Sequence, residues 1–262
     1  MKKIFLAFLL VIIAANLFAQ DTKNVVYDAN AEVRKVDYFK AVEVSSAITL
    51  YLSQGNETAV AVSVENGDKN KVKTEVKNGV LKIYIDSDFW GKWSWKDNKI
   101  KAYVTVKEIE KLVASGASQI RIADKITAST LKIVASGASS IKGDIKADDL
   151  KLELSGASNV NTSISSNSVR IGISGASTVN VSGSTNSLDV DATGASNLKA
   201  FDLIANTCNA EASGASTIRV NVSKEFSKIH ASGASTIRYK GEALIRNLES
   251  SGASSIKKDS GK

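Results

Sequence analysis

Four basic side chains recur at a spacing of 19 or 20 residues late in the chain: Lys199, Arg219, Arg238 and Lys257. Thr217 and Thr236 stand two residues ahead of the middle pair. Stacked side by side, such donors would offer repeated charge-assisted hydrogen bonds to an extended anionic polymer such as an acidic glycan or lipopolysaccharide. The alternative is a solvated face whose like charges keep the protein soluble and monomeric. A second set at the same period, Asp191, Glu211, His230 and Glu249, suggests a cation site or the paired carboxylates of sugar-polymer cleavage. Lys132, Lys151, Arg170 and Lys228 lie two positions upstream in the equivalent segments, so charge compensation is the simpler account. The third set is the segment from Asp88 to Lys96, which holds all three tryptophans of the chain, Trp90, Trp93 and Trp95, with Lys92 and Lys96 between and after them. Aromatic faces beside cations suit sugars, membrane interfaces or protein contacts. The competing reading points Trp93 and Trp95 into an open hydrophobic core as a plug and leaves Trp90 outside.

These sets share a clock. The tetrapeptide Ser-Gly-Ala-Ser begins at Ser115, Ser136, Ser155, Ser174, Ser213, Ser232 and Ser251, and Thr193 opens a Thr-Gly-Ala-Ser version. A unit of 19 residues, stretched in places to 20 or 21, is too short for helix-pair repeats and fits one coil of a β-solenoid. Before each motif comes a strict alternation, as in Leu131 to Ala135, Leu150 to Leu154 and Val169 to Ile173, the signature of a strand with one buried face. Stacked coils then align inward columns such as Ile133, Leu152, Ile171, Val190, Ala210, Ile229 and Leu248. After the motif a further column appears at Ile120, Ile141, Val160, Val179, Leu198, Ile218, Ile237 and Ile256. The glycine between the two strands marks a corner needing a positive φ or a close backbone approach, and small Ala and Ser can pack inside it. A third, shorter stretch, such as Asp144 to Asp148 or Phe201 to Ala205, closes the coil. The predicted fold class is all-β: a parallel β-helix of about 19-residue coils, right-handed as parallel crossovers usually are, and roughly 38 Å long for eight coils.

In this frame the basic set extends to Arg121, Lys142, Asn161 and Asn180, beside a polar column of Gln119, Ser140, Asn159, Thr178, Asn197, Thr217, Thr236 and Ser255. Cys208 falls in the inward column of Leu131, Leu150, Val169 and Leu188, which makes it a buried hydrophobe rather than a nucleophile. As the only cysteine of the chain, it excludes an internal disulfide and every multi-cysteine metal site. No cofactor or metal is implied.

The chain opens with Lys2 and Lys3, an apolar run from Ile4 to Ala15 and a cleavage-like Ala19-Gln20, the pattern of a secretory signal over residues 1–19. The run is too short to span a membrane, which takes about 20 apolar residues. Residues 20–35 read as a linker, 36–113 as a β capping region, 114–257 as the solenoid and 258–262 as a polar tail. The last coil leaves an edge for an end-to-end homodimer, or one guarded by the charges that follow it. The formal net charge of +7 for the whole chain permits attraction to anionic surfaces without identifying one, and an exported protein is not expected to bind nucleic acid.

The signal, the N-terminal VSSAITLYLSQGNETAVAV and VKTEVKNGVLKIYI, and the serial SGAS coils together resemble the putative auto-transporter adhesin, head GIN domain family, over nearly all of the mature chain. The resemblance implies an exported β-helical protein, and the family's name implies adhesion. The chain departs from an autotransporter in having no translocating β-barrel after its repeats. The expected function is a non-enzymatic binding or adhesion module placed in the periplasm, at the outer membrane or outside the cell, with an envelope polysaccharide or protein as partner. The alternatives are a structural, self-assembling envelope protein and, less favoured, a polysaccharide lyase or hydrolase.

Overall fold

Each Ser-Gly-Ala-Ser word is a tight corner. Its glycine has a positive φ, near 70° throughout the series from Gly116 to Gly252, while the following alanine does not, the pattern of a type II′ turn. Stacking makes glycine necessary for a second reason: a Cβ on Gly175 would lie 2.5 Å from the carbonyl oxygen of Gly156 in the preceding coil. The alanine N–H donates to that same row of carbonyls, Ala176 to Gly156 at 2.7 Å and Ala138 to Gly116 at 2.7 Å. The corners are therefore rungs of the hydrogen-bonded ladder. The last serine turns inward, and in five corners its Oγ donates to the final strand carbonyl of the preceding coil, as Ser139 to Ala114 at 3.1 Å and Ser216 to Ala192 at 2.9 Å. Ser177 turns instead to the Gly156 carbonyl, and the buried Oγ of Ser118 and Ser196 finds no partner among the described residues. In those five corners the serine hydroxyl is satisfied by backbone.

The computed structural model describes residues 28–86 and 99–259. Its early strands are β1 (Glu32–Val33), β2 (Ala41–Val44), β3 (Thr49–Gln54), β4 (Ala59–Glu65), β5 (Val72–Lys77), β6 (Val80–Ile85), β7 (Lys99–Val106), β8 (Lys111–Ala114) and β9 (Gln119–Ile122). The long strands follow: β10 (Ile126–Ala135), β11 (Ser140–Leu154), β12 (Asn159–Ile173), β13 (Thr178–Ala192), β14 (Asn197–Ala212) and β15 (Thr217–Ala231). Last come β16 (Thr236–Lys240), β17 (Leu244–Ile245), β18 (Leu248–Ser250) and β19 (Ser255–Lys258). From β8 onward every pairing is parallel, in a solenoid of about eight turns with coils of about 19 residues. Each of β11 to β15 runs unbroken from one corner to the next, so the short third stretch of the coil is a bend within a long strand. The extra residue of the 20-residue coil is absorbed near Ala200, where the register between β13 and β14 shifts.

Residues 36–113, read from sequence as a cap, contribute layers of the same stack. β2 lies parallel between β6 and β8, and β3 between β7 and β9. The coil that comes first in sequence is therefore internal, and the β6–β7 layer sits outside it. On that outer layer the pairing direction changes: β5 is antiparallel to β6, β4 to β7, and β1 to β4. The β2–β3 corner has no glycine. Ser46 and Ala47 stand at φ 67° and 56°, in a Ser-Ser-Ala-Ile version of the motif.

The core is a set of continuous apolar columns. Leu131, Ile133, Ala135, Leu152, Val190, Ile218 and Ile229 are all essentially inaccessible, and each fully buried Leu or Ile contributes about 2 kcal/mol. At the far end the columns open to solvent. Leu248 continues the column of Ile229 yet is 50% exposed, and Leu244 is 54% exposed.

Candidate functional site

Alternation along the strands leaving each corner alternates two outward positions with buried ones. Ladder register makes each position a column. Lys199 stands opposite Arg219, Arg219 opposite Arg238, and Arg238 opposite Lys257. Thr217 pairs with Thr236, and Thr236 with Ser255, in the neighbouring column. The same registers carry Arg121, Lys142, Asn161 and Asn180 beneath Lys199. Successive side chains are about 4.8 Å apart.

Like charges at that spacing repel, and no carboxylate pairs with any cation of this column among the described residues. Arg219 donates to Asn197 Oδ1 at 3.1 Å from the polar column. Arg121 donates to Gln119 Oε1 at 3.3 Å and lies 5.8 Å over the Tyr51 ring. Tyr51 in turn stacks on Tyr103 with centroids 5.3 Å apart. The basic column therefore continues downward into two tyrosines, an extension hidden from sequence because the β2–β3 corner lacks the Gly that sets the frame.

The face preceding the corners behaves differently. Its columns also stack as expected, Asp191 on Glu211, Glu211 on His230 and His230 on Glu249. Here acids and bases pair: Glu153 receives Lys132 and Lys151, each at 2.7 Å, and Lys228 reaches Glu211 at 3.0 Å. His230 Nδ1 is 3.1 Å from Glu249 Oε2, and Asn247 donates to the other oxygen of Glu249 at 3.1 Å. Hydrogen bonds from Lys132 and Lys151 hold the Glu153 carboxyl below its ordinary pKa. Those from Asn247 and His230 do the same for Glu249. A general acid needs a shift the other way. Among the described residues no cluster of His, Cys, Asp and Glu could hold a metal ion.

Cys208 is 1% exposed and opposite Leu188; burial, with the Asp189 charge added, pushes its thiol pKa far up. Trp90, Trp93 and Trp95 lie outside the described residues, between the end of β6 and the start of β7. A feature the sequence reading passed over is an amide ladder. Asn206 donates to Asn186 Oδ1 at 2.9 Å, and Asn186 to Asn167 Oδ1 at 2.7 Å. Its signal was available, since these asparagines keep the spacing of the motif.

Serial glycine corners, inward serines and a parallel stack closed by antiparallel strands form a single pattern, and it runs through the 38–243 stretch matched by one family model. The chain belongs to the family described as putative auto-transporter adhesin, head GIN domain. Solved structures with this fold include a protein of Parabacteroides distasonis described as a putative lipid binding protein, at 21% identity over 88% of this chain and 98% of that one, with a TM-score of 0.78. A putative adhesin of Parabacteroides merdae is 18% identical over 87% of this chain and 95% of that one, also with a TM-score of 0.78. A putative adhesin of Bacteroides fragilis is 21% identical over 87% and 96%, with a TM-score of 0.65. At these identities the likeness shows the fold. No curated protein matches the chain. No helix among the described residues is long and apolar enough to cross a membrane.

Proposed function

We propose that this head GIN domain protein is an exported, non-catalytic adhesion module that binds an extended acidic polymer of the cell envelope, an acidic glycan or lipopolysaccharide, along the face following its corners. The observation that carries the reading is the contrast between two adjacent faces. One pairs Glu153 with Lys132 and Lys151, Glu211 with Lys228 and Glu249 with His230; the other stacks Lys199, Arg219, Arg238 and Lys257 in register with no carboxylate partner among the described residues. Cations held at a fixed repeat keep their full attraction for an incoming row of anions and need little reordering to meet it. The family's description as an adhesin and the lowered carboxyl pKa values of Glu153 and Glu249 support binding over cleavage. Trp90, Trp93 and Trp95 belong to the proposal as a second, aromatic contact for the same polymer.

The test is binding of the mature protein to acidic and neutral polysaccharides and to lipopolysaccharide across a salt series. It is run alongside a folded Arg219→Ser, Arg238→Ser, Lys257→Ser variant and a separate triple Trp→Ala variant. Binding to acidic polymers that weakens with salt and drops at least tenfold in the basic-column variant is expected. Equal binding by that variant, or none by the wild type, overturns the reading.

A self-assembling envelope protein remains a second reading, favoured by the exposure of Leu244 and Leu248 at the open end of the stack. It requires the mass seen by light scattering to rise with concentration, and Leu248→Lys to abolish the rise.

A further inference from the structure

The third side of the coil starts late. Its lowest segment, Ile126 to Ser129, has no strand of β2 or β3 beneath it, although those strands extend the other two sides. Instead the Gln54 side chain stands in for a strand: its Oε1 accepts from the Thr127 N–H at 2.7 Å and its Nε2 donates to the Thr127 carbonyl at 2.9 Å. The step left below this segment is a groove of about 1140 Å³.

Into the groove runs the amide ladder. Asn206 and Asn186 each donate to the next asparagine, but Asn167, the last, has no acceptor for its own amide among the described residues. One rung further stands Asp148, placed beside Asn167 by the flanking pairs Ala147 with Ser166 and Asp149 with Ser168. Its carboxylate has no ion pair or hydrogen bond there. The ladder thus ends in an unspent amide donor next to an unspent carboxylate, with Ser129 continuing the column and all three groups lining the groove. Paired acceptors and donors at adjacent rungs are what the hydroxyls of a sugar chain require, because each hydroxyl both donates and accepts.

Charge and polarity narrow the ligand. Lys40 is held by Glu108 at 2.8 Å and Glu110 at 3.2 Å, and Lys132 by Glu153, while Lys111 and Lys146 line the groove without an ion pair among the described residues. The lining thus mixes both signs, Lys111 and Lys146 among Glu108, Glu110 and Asp148, and offers a polymer of one sign no continuous row of opposite charge. An acyl chain would need continuous apolar side chains, whereas Ile109 and Ala147 are buried and nearly all the other residues along the groove carry hydroxyl, amide or charged groups. We infer that this groove is a second binding site, for an uncharged glycan chain lying along the stack across Ser129, Asp148 and Asn167. It is separate from the basic column and does not depend on it.

The experiment titrates the mature protein calorimetrically with three soluble neutral oligosaccharides, a β-glucan, an α-glucan and a mannan fragment. Binding of at least one, unchanged between low and high salt, is expected. Asp148→Ala and Asn167→Ala should each weaken it about tenfold, while the Arg219, Arg238, Lys257 variant binds as the wild type does. Both substituted residues are exposed, and an unchanged thermal transition confirms the fold. If none of the three binds, or if the Asp148→Ala, Asn167→Ala double variant binds unchanged, the inference is overturned. Retention of acidic-polymer binding by that double variant separates its failure from failure of the basic-column reading.

Discussion

The glycine of the corner carries two constraints that substitutions can separate. Gly175→Ala meets both a positive φ and a carbonyl 2.5 Å from the new Cβ. Gly116→Ala meets the φ alone, since its nearest atom, the Ser46 nitrogen, is 3.4 Å away. Left-handed backbone costs a non-glycine residue about 1–2 kcal/mol, so Gly116→Ala should lose about that much and Gly175→Ala distinctly more, as read from urea midpoints. Acid should act through the carboxyls of the preceding face. The folded pKa values of Glu153 and Glu249 lie below the ordinary carboxylate value, so the contribution of these two groups is present above about pH 4.3 and is lost as pH falls through the folded values. Glu153→Gln should therefore flatten the fall in melting temperature below about pH 4, and an unchanged slope would show that the two lysine bridges are solvent-screened to nothing.

At the scale of strands and corners, the alanine at the third position of the corner occupies two different conformations. Ala47 has φ 56°, whereas Ala117 is not at positive φ. Replacement by glycine should stabilise at 47 and destabilise at 117, each by about 1 kcal/mol; the same sign at both positions would refute the comparison. Buried within β14, Cys208 should stay unmodified by maleimide in the native protein and react only on unfolding, and rapid native labelling would mean that this coil opens. The same corners explain what was legible. Eight glycine words fixed the register from Ser115 to Ser251, so the inward columns and the basic column could be counted off residue by residue. The β2–β3 coil escaped because Ser46 replaces the glycine and because its spatial neighbours come from both later segments. The groove escaped too, since it arises where one side of the coil begins, from residues such as Gln54 and Thr127 that obey no period.

Across the whole molecule, stability should be graded. In a stack each layer touches only its neighbours, so the energy is nearly a sum over layers and interfaces. The antiparallel strands protect one end, while the inward column at Leu248 is half open at the other. Hydrogen exchange should therefore be slowest through β11 to β14 and fastest in β17 to β19, and uniform protection would argue for a single cooperative unit. The order of layers also bears on how a growing polypeptide finds this structure. Because β2 and β3 are flanked by β6–β7 on one side and β8–β9 on the other, a nascent chain cannot finish its first coil until Ile122 has been made. From then on each new repeat meets a completed template and can zip onto it as it emerges, at the cost of closing only one short loop. Gene duplication of a repeat would lengthen such a protein without altering the seed on which it grows.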